Sequence, residues 1–289
     1  MKEHIFGAWQ VVSAPEFGGN LSCVRWNGYD IMRSFSTANE WKAAPTNYGF
    51  AVLFPPNRID AGKFEFDGKS CFLPVNEPDR NNHLHGVALR EEWQLTQTGS
   101  GTLTMQYLFD EKNSMYQGFP FKCRLSVSYT FEEKALIQTF EVENISQVRM
   151  PCALGFHTAF AIPQRVNVHG DGGRIELPPP RYLASGRVIP WLDGFEPDVW
   201  CDPVSVWPFG HLKTTAVPLA ELEYKDFSLR YLPDSKFGYW MVWRKVDEFD
   251  YLCIEPMNIK IGTFENAPAL LPVLEAGKSE KFISKIEII

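Results

Sequence analysis

Six polar side chains in this sequence are the ones best suited to chemistry: Asn57, Arg58, His83, His85, His157 and Glu255. An arginine offers a fixed fork of donors and a histidine changes protonation near neutrality. Together they suit a small, oxygen-rich ligand whose protons must move. In a strand, residues two apart project to one face, so His83 and His85 could both reach one metal or one ligand. The plainer alternative is that one faces the site while the other is solvated or bonded to a backbone carbonyl. A His-x-His pair followed by acids, here Glu91 and Glu92, also has the look of a metal-binding cupin barrel, although the spacing is longer than that motif uses. His157 lies in PCALGFHTAFAIP among small and apolar residues, where a satisfied core histidine is as natural as a catalyst. Glu255 ends the apolar run DYLCIEPMN, and an ionised carboxylate there needs partners or a raised pKa. A strand-end glutamate facing water is the alternative, as a surface ion pair is for Arg58.

The elements that must position these groups are strands. Asp67-Gly68 divides KFEF from KSCFL and Asn27-Gly28 divides RW from YDIMR, the residue choice that two-residue turns with positive φ demand. The segments GTLTMQYLFD, CRLSVSYTFEE, ALIQTFEVEN, FSLRYLPD and FGYWMVWRKV alternate, or are rich in β-branched and aromatic residues, and read as strands. One helix is expected over Thr37 to Ala44, stopped by Pro45. Gly170 to Gly173 reads as a turn, and Arg181 to Val217 as long connections with few strands. No linker separates two compositions and no repeat is evident, so residues 1–289 are expected to form a single all-β domain, a large antiparallel β-sandwich. Its 9 Trp and 22 Phe would fill the interior, although some aromatic faces could equally floor a sugar site.

Composition narrows the partners. Hydrophobic residues at 45% and charged residues at 22% are ordinary globular values, and 28 basic against 35 acidic residues leave a net charge of -7. With no basic stripe, nucleic acid is not an expected partner. The start lacks a basic head followed by an apolar stretch, and no apolar run approaches the roughly 20 residues of a membrane helix, so neither secretion nor a membrane is expected. Six scattered cysteines without a CxxC pair suggest reduced core thiols and a cytoplasmic protein, with a secreted disulfide protein as the alternative.

The order of the landmarks carries more than any one of them. Asn57-Arg58-Ile59, Gly62, Phe64, Gly68, Leu73, Asn76, Leu84-His85-Gly86, Gly155, His157, Phe160 and Ile254-Glu255-Pro256 together resemble the aldose 1-epimerase family, also called galactose mutarotases. The ending PVLEAGKSEKFISKIEI is similar to that family's closing strand. The resemblance implies a galactose mutarotase-like supersandwich that interconverts the α and β anomers of a free hexose or related sugar by acid/base ring opening and reclosure. It implies Glu255 as base, His157 as acid, and His85 and Arg58, with Asn57 beside it, as substrate-binding residues. It implies no cofactor and no metal, a sugar or sugar phosphate as the small-molecule partner, and is compatible with a homodimer.

GFHTAF and IEPM depart from the galactose-specific patterns of the family and look nearer to relatives acting on hexose 6-phosphates or unassigned sugars. A phosphate would want a cationic cluster, which Arg58, Arg80, Arg90, Arg244 and Lys245 could furnish. Trp243, in the strand leading to Glu255, would either stack on a sugar face or serve as a core residue. Two other classes compete: a carbohydrate-binding protein without turnover, and a cupin-type enzyme holding metal on His83 and His85.

Overall fold

The alternating segments pair into two large antiparallel sheets in the computed structural model, which describes residues 1–191 and 194–289. One sheet has eight strands, in the order Gln94–Gly99, Thr102–Phe109, Cys123–Phe131, Ala135–Asn144, Ser279–Ile288, Ser228–Pro233, Ala220–Glu223 and Arg165–Val168. The other has seven, in the order Val188–Ile189, Gly170–Ile175, Gly210–Thr214, Tyr239–Trp243, Tyr251–Met257, Gly155–Ala161 and Phe50–Leu53. A four-stranded N-terminal sheet, Lys2–Phe6, Trp9–Ala14, Asn20–Trp26 and Tyr29–Asp30, adds a flank.

The two large sheets pack face to face as a sandwich. Phe140 of the eight-stranded sheet meets Phe156 of the seven-stranded one at a ring separation of 6.5 Å, and Tyr231 meets Phe160 at 5.2 Å. The Tyr231 hydroxyl also bonds the buried Thr158 hydroxyl across the layers at 2.8 Å, which satisfies both polar groups inside the core. Period-two alternation sorts the seven-stranded sheet into two faces. Phe156, Phe160, Trp240, Val242, Leu252 and Ile254 turn inward to the shared core. Ala51, Leu53, Met241 and Met257 form a second apolar cluster on the opposite face. That outer face carries the cavity described below.

Local chemistry explains the turns and the helix. Asp67 and Gly68 both have positive φ, 51° and 69°, as do Asn27 and Gly28 at 48° and 84°, which is the backbone of the expected two-residue hairpin turns. Thr37 caps the helix Ala38–Ala43 in a reciprocal capping box with Glu40. All six cysteines are free and five are buried, as reduced core thiols should be. Among the described residues, no helix is long and apolar enough to cross a membrane.

One expectation changes, while the stretch from 181 to 217 keeps to long connections with few strands among the described residues. The DGG segment lies inside the strand Gly170–Ile175, where the pairing register shifts between Asp171 and Ile175, so the glycines relax an irregular strand instead of reversing the chain. Within the stretch from 181 to 217, whose residues 192 and 193 lie outside the described ones, GHLKT forms the regular strand Gly210–Thr214. Its apolar neighbours are supplied by other strands, so the segment shows no period of its own.

His211 on that strand is fully buried, and its Nε2 accepts the backbone N–H of Ile261 at 3.1 Å, holding the chain that follows the Tyr251–Met257 strand. Burial, with Lys260 adding to it, pushes its pKa from 6.5 down to about 3. A folded-state pKa below the unfolded one means that stability is full above pH 6.5 and is lost as pH falls toward 3, because the unfolded chain takes up the proton first. Melting temperatures of the parent protein and of H211Q across that interval should therefore diverge, with the shallower decline in H211Q. Parallel curves would show that His211 does not set the acid sensitivity.

Candidate active site

The pairing register of three neighbouring strands assembles the site. Gly155 pairs with Met257 and Thr158 with Ile254, which puts His157 directly opposite Glu255, while Met241 pairs with Glu255 from the other side. All three side chains lie on the outer face. His157 Nε2 stands 3.1 Å from Glu255 Oε1, with the residues only 4% and 2% exposed. Burial drives His157 down to about 3 and pushes Glu255 well above the usual carboxylate range, against which the nearby Arg58 charge works. Both shifts favour the uncharged forms, so the pair holds one proton between them. The remaining ring nitrogen, Nδ1 of His157, has no partner in the protein.

A two-stranded ribbon, Arg58–Asp60 against Asn82–Leu84, brings in the earlier landmarks. Asn57 and His85 flank it, each in the left-handed region at φ 68° and 69°, and the His85 N–H donates to the Asn57 carbonyl at 3.2 Å. This geometry corrects the expectation that His83 and His85 converge. The strand ends at Leu84, so His85 leaves the period-two pattern and turns its ring toward His157, edge to face at 5.6 Å. His83 instead faces inward, with Nδ1 bonded to the Pro74 carbonyl at 2.7 Å, and it does not line the cavity. His85 Nδ1 and Asn57 Nδ2 are buried without partners, and they belong to cavity-lining residues. Burial lowers the His85 pKa well below 6.5, with the neighbouring His157 the next cause.

Arg58 is held by a residue that the sequence gave no reason to single out. Glu77 accepts from Arg58 Nε at 2.8 Å and from its terminal NH2 at 3.0 Å, and it also binds Arg80 and accepts from Asn82 at 3.2 Å. Tyr182 covers both cations, 5.4 Å from the Arg58 guanidinium and 4.7 Å from that of Arg80.

The cavity is a half-open cleft with a volume of about 420 Å³, within the range of small-molecule sites. Asn57, Arg58, His85, His157, Glu255 and Trp243 all line it, so the candidate residues converge. Trp243 is half-buried, its ring 6.1 Å from that of His157. Tyr182, Trp207, Phe209, Arg244, Lys245 and Val246 complete the wall. They sit in connections or at strand ends, so periodicity could not flag them.

Of the five cations expected to gather, Arg58, Arg80, Arg244 and Lys245 line the cavity, and Arg90 is exposed outside its lining. Each of the four is bonded within the protein. Arg58 and Arg80 share Glu77, and Lys245 pairs with Asp247 at 3.5 Å and Glu248 at 3.1 Å. Arg244 is buried and donates to the carbonyls of Pro203, Val204, Val206, Lys245, Val246 and Glu248 at 2.9–3.3 Å. Among the described residues, one group has the donors to hold a metal ion: His157, Cys253 and Glu255, whose ligand atoms lie within 4.8 Å of one another.

Comparison with known proteins agrees with this arrangement. The aldose 1-epimerase family model matches residues 9–179. The uncharacterized protein YihR of Escherichia coli (strain K12) is 28% identical over 108 residues, which is 37% of this chain, and the match spans only 34% of that relative's length. Among solved structures, a galactose mutarotase-like protein of Clostridium acetobutylicum superposes with a TM-score of 0.89 at 23% identity, covering 99% of this chain and 94% of its own. The galactose 1-epimerase of Lactobacillus acidophilus NCFM gives 0.77 at 13% identity over 99% and 92% of the two chains. At such identities the likenesses define the fold. The family match, which extends over more than half of the residues, settles membership: this chain belongs to the aldose 1-epimerase family.

Proposed function

We propose that the protein interconverts the anomers of a free aldose, with His157 and Glu255 as the acid/base pair and Asn57, Arg58 and His85 as the groups that hold the sugar. The observation that carries this reading is the 3.1 Å contact between His157 Nε2 and Glu255 Oε1 on the floor of the cavity. Mutarotation needs one group to take the proton of the C1 hydroxyl and another to give a proton to the ring oxygen. The C1–O5 bond then breaks, leaving an aldehyde and a C5 hydroxyl. Rotation about C1–C2 presents the other carbonyl face, and the two proton transfers run in reverse as the ring closes.

A pair that shares one proton supplies one acid and one base in either arrangement. With the proton on His157, Glu255 is the base, the assignment that the resemblance implies; after ring opening the roles are exchanged, as reclosure requires. The partnerless Asn57 Nδ2 and His85 Nδ1 are buried polar groups whose desolvation a sugar hydroxyl would offset. Because each lining cation already has partners within the protein, the substrate is read as an uncharged sugar.

NMR exchange spectroscopy on a panel of aldoses should show anomer exchange faster with the protein than in buffer. Glu255→Gln and His157→Asn should each lose about 10²–10⁴-fold in kcat with the fold retained. Exchange at the buffer rate throughout the panel would end the catalytic reading, and full activity in either variant would remove that residue from it.

The pH profile follows from the shared proton. A second proton reaches His157 only near its depressed value of about 3, so kcat/KM should hold on the acid side through 6.5, where an unperturbed histidine would titrate. The alkaline limb, which reports loss of the Glu255 proton, should lie above the ordinary carboxylate value of 4.5. An acid limb centred at 6.5 would show that the pair is not held neutral by burial.

Glu77 acts through Arg58, so its change should read out in binding. Glu77→Gln removes the charge that anchors a bidentate arginine, and KM should rise about 10-fold, with kcat reduced by a smaller factor. An unchanged KM would show that Arg58 is held without it.

A further inference from the structure

Cys253 stands two positions before Glu255 on the strand Tyr251–Met257, so period-two alternation puts both on the outer face of the seven-stranded sheet. Its pairing partner on the neighbouring strand is Ala159, two positions after His157. The thiol is thereby set beside the acid/base pair, and one donor atom each from Cys253, His157 and Glu255 lie within 4.8 Å of one another. Cys253 is free and fully buried, packed with Ala159 and Tyr251 against Trp243. It does not line the cavity, so the proton transfers described above give it no task.

Sulfur, nitrogen and oxygen donors from three side chains make a ligand set of the kind zinc takes while keeping a fourth position open. At zinc bond lengths of about 2.0–2.3 Å, tetrahedral ligand atoms stand roughly 3.5 Å apart. His157 Nε2 and Glu255 Oε1 are already 3.1 Å apart. The thiol has to close by roughly 1 Å, within reach of a rotation about its Cα–Cβ bond. An ion has a way in, because His157 and Glu255 line the cleft. Calcium and magnesium, which take oxygen ligands, do not suit a site with a thiol.

Charge balance favours the exchange of protons for metal. The thiol carries one proton, held there by burial, and the His157 and Glu255 pair carries another, so the three groups together are neutral. A divalent ion that displaces both protons is surrounded by one thiolate, one carboxylate and one neutral imidazole. The net charge stays at zero, and the buried site escapes the cost of an uncompensated ion. His169 is no rival, since Asp198 meets its Nδ1 at 2.9 Å and Glu221 its Nε2 at 3.3 Å, at different nitrogens of the ring.

We propose that Cys253, His157 and Glu255 form an inhibitory site for zinc or a similar thiophilic divalent ion, which silences the protein by occupying both proton-carrying groups. The inhibition rests on the mutarotase reading, whereas the binding does not.

Calorimetric titration of the metal-free protein with zinc should give one ion per chain and the release of about two protons, read from the dependence of the heat on buffer ionisation. Cobalt in its place should show thiolate-to-metal charge-transfer absorption in the near ultraviolet. Cys253→Ala and Cys253→Ser, the second of which keeps the size of the side chain, should abolish that absorption. Both should weaken zinc by more than the roughly 10- to 100-fold that loss of a partner behind a ligand costs. Anomer exchange of the parent, followed by NMR, should fall to the buffer rate in zinc and recover with a chelator, and both variants should keep exchanging at the zinc concentration that silences the parent. No bound zinc, cobalt without thiolate absorption, equal zinc affinity in the variants, or undiminished exchange by the zinc-loaded parent would each overturn the proposal. If the metal-free protein exchanges no sugar, the mutarotase reading falls, and the zinc and cobalt titrations alone decide whether the site exists.

Discussion

The register between the strands Gly155–Ala161 and Tyr251–Met257 is the constraint on which the rest depends, because it alone sets His157 against Glu255. The two faces of these strands are not independent. Phe156 and Ile254, adjacent in sequence to the acid/base pair, are fully buried in the core between the large sheets. A slip of one residue would send both into the cavity and both ionisable groups into the core, where an unpaired charge costs far more than a lost contact. The apolar interior therefore fixes the geometry of the proton-transfer pair with a precision that no contact between the two side chains could supply by itself.

Burial has opposite effects on the two partners, and that is what makes them useful together. Each alone would be a buried group driven to its neutral form; facing each other at 3.1 Å, they share a single proton. Arg58 sets the limit of this arrangement, since its charge favours an ionised Glu255. Glu77 keeps that guanidinium engaged through two hydrogen bonds, near the cavity but not collapsed onto the acid/base pair. A carboxylate outside the reaction thus sets how much charge the reacting carboxylate feels.

Much of this was legible in the chain because it is local. The turns at Asp67-Gly68 and Asn27-Gly28, the capping box at Thr37 and the alternating strands each follow from residues a few positions apart. The order of Arg58, His85, His157 and Glu255 also pointed to one site. What escaped depended on partners distant in sequence. The strand Gly210–Thr214 takes its pattern from neighbours on other strands, and His85 parts from His83 because a positive φ ends the ribbon between them. Glu77 is an ordinary acid beside its near neighbour Arg80 until Arg58 arrives from the preceding ribbon strand. Trp243, open between a core and a cavity role, follows Tyr239 and Met241 onto the outer face.

The cavity divides its labour between two kinds of structure. Its floor lies on central strands whose side chains cannot move without disturbing the core, while its wall lies on connections, where change is tolerated. A wall of loops would be a poor recognition surface if it were loose. Arg244 meets that problem with a cation bonded to six backbone carbonyls instead of a carboxylate, so two connections are clamped together without adding a second acid beside Glu255. A buried ion pair would have depended on one partner side chain, and its loss would strand a charge. Carbonyls are present whatever the loop sequence, so the clamp survives substitutions at the side chains around it. Aromatic groups such as Trp207 and Phe209 can therefore change with the substrate while the register of His157 and Glu255 stays fixed.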